Sequence, residues 1–449
     1  MSSATTHNSD GLILTYYGDD FTGSVDVMEA LTANGVRTVL FLDVPTRDQL
    51  TAYPEIGAVG VAGISRTMSP DQMEAALPSI FEGLKSLDAP LFHYKMCSTF
   101  DSSPSVGSIG RATEIARHVF GARPLPLVVG APILKRYCVF GNLFATADGV
   151  TYRLDRHPTM TAHPVTPMHE SDLLINLHEQ TELALALVDV LDLSGTESQI
   201  RSRVDRAIEE GAQVVLLDVL DERSERAVGG VINRFIRDSR GTGATQVVVG
   251  SSGVEYALAA YWRSSTDNRP TTRVSRVEPS SQTLVIAGSR APATEAQIAF
   301  ALKAGYTDVQ VDPAKVTDPS SLEAARTDVV DRAVAALNTG SNVLVATPRH
   351  TVSVDGTAIA RAMGEIACEV GIQTRVRRMV VAGGDTSGMV ARSLGISALE
   401  ILAPLTTGAP LCRVSSTQQR FDGMEICLKS GQIGAPDYFV RIAKLGSQL

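Results

Sequence analysis

The sequence lacks the features that mark membrane and secreted proteins. It contains no run of about 18 apolar residues, the length that a membrane-spanning helix needs. Its polar N-terminus, MSSATTHNSD, has no apolar segment typical of a signal peptide. Its five cysteines are scattered and nowhere spaced as C-x-x-C, which favours a reducing compartment and offers no zinc site. These absences predict a cytoplasmic protein that does not enter a membrane.

Positive charge is also scarce. Lys and Arg number 40 against 49 Asp and Glu, which leaves a net charge of −9. An acidic chain without a basic stripe argues against nucleic acid and anionic lipid as partners, although a local site can still bind a small phosphorylated molecule. At 449 residues the chain is too long for one core of about 100–200 residues, so two or three domains are expected. A homodimer is the default assembly, because it is the commonest one.

Short apolar strands alternate with helical patterns along the whole chain. The strand at 12–17 leads into a helix at 25–33, and strand and helix signals continue with short connections. This alternation predicts an α/β fold in which each domain has a mainly parallel sheet flanked by helices. A polar segment with two prolines, 263–282, interrupts the pattern and is interpreted as a linker. We therefore predict two domains, 1–265 and 280–449.

The first candidate site is the segment Gly18-Asp19-Asp20-Phe21-Thr22-Gly23-Ser24, at the carboxyl end of the first predicted strand. Ligands of parallel sheets bind at that edge. Two adjacent carboxylates there can hold substrate hydroxyls, accept a proton from one of them, or help to hold Mg²⁺. The structural alternative is a helix N-cap. An N-cap accounts for one aspartate but not for two, so we favour the functional interpretation.

The second candidate is the segment Gly383-Gly384-Asp385-Thr386-Ser387-Gly388, between a predicted strand at 378–382 and a helix at 389–394. Glycines in this position let the backbone approach a phosphate, and the helix N-terminus supplies N–H donors. A plain strand–helix turn is the alternative. The segment is not a Walker A loop, because no Gly-Lys-Ser/Thr follows, and no GxGxxG occurs elsewhere.

Two further turns could contact the same nucleotide. Gly288-Ser289-Arg290 also follows a strand and opens a helix, and Gly431 could mark another close backbone approach. A helix cap and a simple turn are equally good interpretations of these segments.

Cations with neighbouring hydroxyls complete the candidates in the N-terminal half. Lys95 precedes Ser98, Thr99 and Asp101, and Arg66 follows a predicted strand. Either cation could pair with a substrate carboxylate or a phosphate. The commoner fate of such a charge is a solvated surface.

Histidines offer no equivalent metal site. His157, His163 and His169 are spaced by six residues, which is not a helical ligand spacing, so solvated loop histidines are expected and the metal ligands stay unknown.

Taken together, the motifs resemble the four-carbon acid sugar kinase family. They fall in order over nearly the whole chain, so their joint match is far more specific than any single motif. The matching pieces are GDDFTGSVDVMEAL at 18–31, Ser65-Arg66, Lys-x-x-Ser-Thr at 95–99, HPVTPM at 163–168, GSSG at 250–253, GSRAPAT at 288–294, GGDTSG at 383–388 and KSGQIG at 429–434.

The resemblance implies a substrate domain followed by a nucleotide domain, with the reaction in the cleft between them. It implies ATP, Mg²⁺ and a small sugar acid such as 3-oxo-tetronate, threonate or erythronate. The residues expected to face the sugar acid are Asp19, Asp20, Arg66 and Lys95. The residues expected to face ATP are Ser289, Gly383, Gly384, Asp385, Thr386 and Gly431.

One segment departs from the family pattern, which after the lysine usually reads Lys-x-Asp-Ser-Thr-Leu-Arg-Gly. Here Cys97 replaces the Asp, and Phe100-Asp101 replace Leu-Arg. A site built for one set of polar groups rejects analogues that leave those groups unpaired, so substrate recognition should change. The variant looks like a subgroup linked to branched sugar acids such as 3-oxo-isoapionate.

The hypothesis is therefore an ATP-dependent sugar-acid kinase of carbohydrate catabolism. Arg66 and Lys95 would fix the substrate carboxylate, and Asp19 or Asp20 would orient the attacking hydroxyl and accept its proton. Two alternatives remain at this point. A dehydrogenase-type α/β enzyme would show a nicotinamide-dependent absorbance change, and a small-molecule-binding regulator would bind without turnover.

Overall fold

The chain divides into two compact units. The computed structural model describes residues 11–147, 149–163, 165–265, 277–348 and 355–446. Contacts separate an N-terminal unit, Met1–Thr272, from a C-terminal unit, Arg273–Leu449.

The N-terminal unit alternates strands and helices from its start. Its strands are β1 Leu14–Gly18, β2 Thr38–Phe41, β3 Ala58–Ala62, β4 Leu91–Lys95, β5 Leu125–Val128, β6 Arg136–Val139, β7 Asn142–Ala147, β8 Val150–Arg153, β9 Leu185–Val188, β10 Val214–Leu217 and β11 Gln246–Gly250. Its helices are α1 Phe21–Ala33, α2 Arg47–Leu50, α3 Pro70–Lys85, α4 Ile109–Phe120, α5 Leu173–His178, α6 Glu197–Glu209, α7 Glu222–Arg240 and α8 Gly253–Ser265.

The main sheet of this unit is parallel, with the strand order β2-β3-β1-β4-β11-β5-β10-β9. Every residue of β1, β3 and β4 is buried, as expected for strands covered on both faces. From β1 the chain moves to β2 and β3 on one side, whereas β4 lies on the other side. The order therefore reverses between β1 and β4, and such a switch point is where open α/β sheets bind ligands.

A separate three-stranded antiparallel sheet, β6-β7-β8, extends the N-terminal unit. This sheet was not predicted, because few residues of these short strands are buried, none of them in β8, and their apolar signal is weak.

The C-terminal unit repeats the alternation. Its strands are β12 Thr283–Ala287, β13 Thr307–Gln310, β14 Val343–Ala346, β15 Arg378–Ala382, β16 Ile396–Ala403, β17 Leu411–Ser416 and β18 Glu425–Lys429. Its helices are α9 Pro292–Lys303, α10 Leu322–Asn338, α11 Gly356–Gln373, α12 Gly384–Ser393 and α13 Tyr438–Ala443.

The sheet of the C-terminal unit is parallel through β13-β14-β12-β15-β18 and antiparallel at β17 and β16. Its strand order reverses between β12 and β15, which gives this unit a switch point of its own. The predicted α/β class with mainly parallel sheets is thus confirmed in both units.

Two predicted boundaries differ from the structure. Helix α8 continues to Ser265, so the segment interpreted as a linker from residue 263 is helical at its start. Residues 266–276, most of that segment, lie outside the described residues. Helix α12 begins at Gly384 instead of residue 389. The glycine pair therefore belongs to the helix start, which sets the orientation of its backbone N–H groups.

Candidate active site

The two aspartates after β1 are held by one arginine. Arg66 donates from Nε to Asp19 Oδ2 at 3.1 Å and from Nη2 to Asp19 Oδ1 at 2.7 Å. The same Nη2 lies 2.7 Å from Asp20 Oδ1. Arg66 reaches them from a short 3₁₀ turn after β3, the neighbour of β1 in the sheet. The structure therefore brings Arg66 to two adjacent aspartates that precede it by 47 and 46 residues.

Asp20 has a structural role as well. It is the N-cap of α1, where its Oδ1 accepts a hydrogen bond from Gly23 N at 2.9 Å and its Oδ2 accepts one from Thr22 Oγ1 at 2.6 Å. The N-cap interpretation is correct for Asp20 and leaves Asp19 unexplained, since Asp19 binds Arg66 and caps nothing. The Asp19 side chain is 4% exposed and the Asp20 side chain 24%, so Asp20 is the more accessible carboxylate.

The two carboxylates have different electrostatics. Burial raises the pKa of Asp19, and the nearby Arg66 only partly offsets that effect. Burial also acts to raise the pKa of Asp20, but Arg66 and Lys95, with hydrogen bonds from Thr22 and Gly23, outweigh it and lower that pKa. Asp20 therefore stays ionised at neutral pH, whereas Asp19 holds a proton more readily than an exposed aspartate does.

Lys95 lies on the other side of β1 from Arg66 and is the fourth charged residue of this group. It ends β4, pairs in register with Gly18 of β1 and Gly250 of β11, and is 2% exposed. A Cβ on Gly23 would lie 2.6 Å from Lys95 Nζ and 2.5 Å from Asp20 Oδ1, so any side chain at position 23 would displace these two charged groups. The described residues offer Lys95 Nζ no hydrogen bond or ion pair within bonding distance. An ammonium with free donors at a strand end suits an anionic ligand.

The segment after Lys95 forms a tight polar turn. Thr99 Oγ1 lies 2.9 Å from Cys97 Sγ and donates to Asp101 Oδ1 at 2.7 Å. Phe100, between them, is fully buried and has a φ of 57°, a left-handed conformation rare for a bulky residue. Strain of this kind occurs where the surroundings fix the backbone, often at ligand sites. Ser98 is half-buried beside this turn.

Cys97 is a neutral thiol in this turn. Burial, with Asp101 and Asp19 nearby, raises its pKa to about 12, against the lowering effect of Arg66. A second arginine, which was not predicted from the sequence, lies close to the same thiol. Arg136 of β6 lies near enough to Cys97 and Asp101 for both to raise its pKa, although burial lowers it overall. The local sequence of Arg136 does not indicate that it lies near Cys97 and Asp101, because only the tertiary structure brings β6 next to this turn.

The three glycine segments of the C-terminal unit come together at one sheet edge. They follow β12, β15 and β18, which are neighbours in the sheet. Gly383 N donates to Lys429 O at 2.9 Å, and Ser289 N donates to Ala382 O at 3.1 Å. A Cβ on Gly431 would lie 2.0 Å from Ser289 Oγ. The candidate nucleotide residues thus lie around the switch point between β12 and β15.

The glycine pair itself has two different reasons to be glycine. Gly383 has a φ of 127°, which only glycine adopts without strain, and its C=O accepts from Ser387 N at 2.8 Å. Gly384 is exposed, and a Cβ there would meet no atom within 4 Å. Since no protein atom requires glycine at position 384, its missing side chain suits the close approach of a ligand. Asp385 is exposed beside it, and Thr386 is buried.

Lys429 is the buried cation of this edge. It is fully buried, and its Nζ donates to Thr294 Oγ1 at 3.3 Å, while Thr294 Oγ1 donates to Gly431 O at 2.7 Å. Burial lowers the pKa of Lys429 to about 8, and no neighbouring charge opposes that effect. The lysine therefore carries its charge at a cost to folding stability while it supports the Gly431 turn.

Replacing Lys429 by Met should stabilise the folded protein at pH 7 by up to about 3 kcal/mol, because each pKa unit corresponds to about 1.4 kcal/mol. At Lys429 the unfolded chain binds more protons than the folded one between pH 8 and pH 10.5, so the unfavourable contribution of this lysine to stability fades as the pH rises over that range. The gain from Lys429→Met should therefore shrink as the pH is raised from 8 to 10. Urea unfolding between pH 8 and pH 10 measures the free energy of unfolding of Lys429→Met relative to the wild type. Lys444→Met is the control, because Lys444 is exposed. An equal gain at all pH values would contradict it.

The loop histidines make local hydrogen bonds. Nδ1 of His157 accepts from the backbone N–H groups of residues 159 and 160, and His163 Nδ1 accepts from Thr166 N at 3.0 Å. His169 lies 3.1 Å from Glu179. Within the described ranges, no group of three or more His, Cys, Asp or Glu side chains is placed to hold a metal ion. Nor does any described helix have the length and apolar character needed to cross a membrane.

Two family models match this chain and divide it between them. One is described as a sugar-binding N-terminal domain and matches residues 14–258, and the other as a nucleotide-binding C-terminal domain and matches residues 284–439.

Curated relatives match over nearly the whole chain. A 3-oxo-isoapionate kinase of Paraburkholderia graminis is 44% identical, over 96% of this chain and 93% of its own length. A 3-oxo-tetronate kinase of Methylobacterium radiotolerans is 31% identical, over 96% of this chain and 98% of its own.

Solved structures show the same fold. A Salmonella typhimurium LT2 protein, 25% identical, matches with a TM-score of 0.76 over 96% of this chain and 98% of its own. A Haemophilus influenzae protein, 22% identical, matches with a TM-score of 0.74 over 96% of this chain and all of its own.

Proposed function

This chain belongs to the four-carbon acid sugar kinase family, and from that premise we propose that it transfers the γ-phosphate of ATP to a hydroxyl of 3-oxo-isoapionate. It is a phosphotransferase with an alcohol acceptor, as the names of its kinase relatives support. The branched acid is favoured over 3-oxo-tetronate, threonate and erythronate because identity is 44% to the 3-oxo-isoapionate kinase and 31% to a 3-oxo-tetronate kinase. The proposed substrate domain is 1–265, and the proposed nucleotide domain is 280–449.

The observation that carries the proposal is the charged group at the β1/β4 switch point. Two aspartates, an arginine and a lysine lie there in a largely buried position, in the region matched as sugar-binding. Such a set binds a small polyhydroxylated anion by pairing its hydroxyls with carboxylates and its carboxylate with cations. A dehydrogenase or a regulator has no comparable support, since the relatives named above are kinases.

Within that site we propose distinct roles for the charged side chains. Asp20, the accessible and ionised carboxylate, accepts the hydrogen bond of the attacking hydroxyl and aligns it. Asp19, whose pKa is raised, supports this arrangement through Arg66 and is the alternative proton acceptor. Lys95 binds the anionic end of the acid. Phosphoryl transfer passes through a loose transition state, so orientation and charge matter more than early proton removal.

The residues of the C-terminal unit fit ATP. The proposed contacts are Ser289, Gly383, Gly384, Asp385, Thr386 and Gly431. The opening at Gly384 and the first turn of α12 offer backbone N–H donors to the phosphates. Mg²⁺ would neutralise phosphate charge, and it commonly binds through phosphates and water with one or two carboxylates, for which Asp385 is available. All five cysteines carry free thiols, which supports the cytoplasm as the proposed compartment.

The test is a panel of acids with purified protein, ATP and Mg²⁺. Release of ADP with 3-oxo-isoapionate, and a product heavier by one phosphate in mass spectrometry, would support the proposal. The matched acids are 3-oxo-tetronate, threonate and erythronate. ATP binding without ADP release for any acid would contradict it.

The turn at Cys97–Asp101 should set the choice between acids. Replacing Cys97 by Asp restores the usual family residue and places a carboxylate near Asp101 and Asp19, where like charges repel. We expect kcat/KM for 3-oxo-isoapionate to fall about tenfold or more, and its ratio to kcat/KM for 3-oxo-tetronate to fall with it. Steady-state kinetics on both acids measures this, with Cys368→Ser as the thiol control. An unchanged ratio would show that this turn does not select the substrate.

A further inference from the structure

Two buried oxygens near Lys95 have no hydrogen-bond partner among the described residues. They are Asp26 Oδ1, on α1, and Ser252 Oγ, in the turn between β11 and α8. Ser252 is fully buried. A buried polar atom without a partner destabilises the folded state, so native proteins retain one mainly where a ligand or an ordered water supplies the missing bond.

These two oxygens belong to one cluster with Lys95. Burial raises the pKa of Asp26, whereas the charge of Lys95 and the Ser252 hydroxyl beside the carboxylate act to lower it. Ser252 Oγ is therefore near Asp26, but Ser252 Oγ and Asp26 Oδ1 do not meet with hydrogen-bond geometry, so both lack a hydrogen-bond partner. The sheet explains why they meet, since Lys95 pairs in register with Gly250, two residues before Ser252. Helices α1 and α8 also pack against each other beside this edge.

The neighbouring Arg66 is less free to bind a ligand than Lys95 is. Its Nε and Nη2 already donate to Asp19 and Asp20. A planar, two-point clamp on a substrate carboxylate needs two adjacent N–H groups of one guanidinium. Of Arg66 and Lys95, the lysine is the cation whose donors remain available, and Ser252 supplies a buried hydroxyl without a partner.

We propose that Lys95, Ser252 and Asp26 form the subsite for the carboxylate end of the sugar acid. This inference rests on the proposed function. The substrate carboxylate accepts hydrogen bonds from Lys95 Nζ and Ser252 Oγ. The hydroxyl next to that carboxylate donates to Asp26. All three side chains then gain the partners that they lack.

The turn before α8 contains a matched control. Ser251 Oγ donates to Val129 O at 2.7 Å and accepts from Gly253 N at 3.0 Å, so its hydroxyl is fully used within the protein. Ser251→Ala should therefore lower the melting temperature. Ser252→Ala removes a hydroxyl that lacks hydrogen-bond geometry to any partner, and Asp26→Asn removes the charge of a buried carboxylate whose Oδ1 has no hydrogen bond. These two variants should melt at the wild-type temperature or above it.

Steady-state kinetics then separates binding from folding. For Ser252→Ala and Asp26→Asn we expect KM for 3-oxo-isoapionate to rise about tenfold or more, because the acid loses one of its hydrogen bonds. KM for ATP should change less than about twofold. An unchanged KM for the acid would mean that water alone fills the cluster and would overturn the proposal. A fall in melting temperature equal to that of Ser251→Ala would also overturn it, since it would show a purely structural role.

A binding measurement keeps this result separate from the proposed function. If the wild-type protein phosphorylates no acid, its melting temperature is measured with and without threonate, a 2-hydroxy acid. Stabilisation of the wild type that both variants lose would support the subsite even though the kinase proposal had failed. No stabilisation of the wild type, or equal stabilisation of all forms, would overturn the subsite as well.

Discussion

Replacing Asp20 by Asn is expected to lower kcat by about 10²–10⁴-fold while the Kd of ATP stays unchanged. Asn caps a helix about as well as Asp, so the hydrogen bond to Gly23 and the start of α1 should persist. The amide is neutral, however, and cannot hold a hydroxyl as strongly or take its proton. Because Asp20 lies in the sugar-binding region, the nucleotide domain should not sense the change.

The effect of Asp20→Asn is measured as ADP release at saturating ATP and acid, beside ATP binding by calorimetry. Asp221→Asn is the matched control, because Asp221 is also a helix N-cap, at the start of α7, and belongs to no part of the proposed site. It should keep wild-type turnover. Wild-type turnover in Asp20→Asn as well would remove Asp20 from the mechanism and leave Asp19 as the only carboxylate of the pair to test.

The second large effect is expected at the glycine turn of the nucleotide domain. Gly383→Ala should weaken ATP binding by about 10–100-fold. At a φ of 127° any side chain strains the backbone by about 1–3 kcal/mol, and the new Cβ would lie 3.3 Å from Ser289 N. The turn can relieve this strain only by moving the N–H groups that the proposal assigns to the phosphates.

Calorimetric titration of ATP into Gly383→Ala tests this, with Gly388→Ala as control. Gly388 lies in the same helix, and a Cβ there would meet no atom within 4 Å. Alanine at position 388 should therefore leave ATP binding unchanged and add up to about 1 kcal/mol of helix stability. Equal ATP affinity in the two variants would show that the strained turn does not bind the phosphates.

Several elements of the fold were readable from local sequence. The strand predicted at 378–382 has the observed bounds of β15, and the strand predicted at 12–17 overlaps β1 at 14–17, because buried parallel strands form short continuous apolar runs. The predicted helix starts were less accurate than the predicted strands. The start of α12 was placed five residues late, since glycines have a low helix propensity although the first turn tolerates them. The sheet β6-β7-β8 and the antiparallel strands β16 and β17 were not identified, because mixed burial gives them no distinct pattern.

In the candidate site, too, some residues could be predicted from local sequence and others could not. Its motifs could be recognised because each has an unusual local composition, such as two aspartates or two glycines after a strand. Arg136 could not be found in this way, since it has ordinary neighbours. Asp26 and Ser252 lie inside the recognised pieces at 18–31 and 250–253, but the local pattern did not assign either of them a role. Their proximity to Cys97 or Lys95 depends on which strands and helices become neighbours.

The sequence by itself determined the family, the α/β class and the segments that carry the chemistry, because these follow from local residue patterns. Only the tertiary structure decided how the charges pair. It placed Arg66 on both aspartates and left Lys95 free, although the sequence predicted the same task for both cations. The physical reason is strand order. The reversal between β1 and β4 puts β3 and its arginine on one side of Asp19 and the lysine on the other, and no local pattern encodes that order.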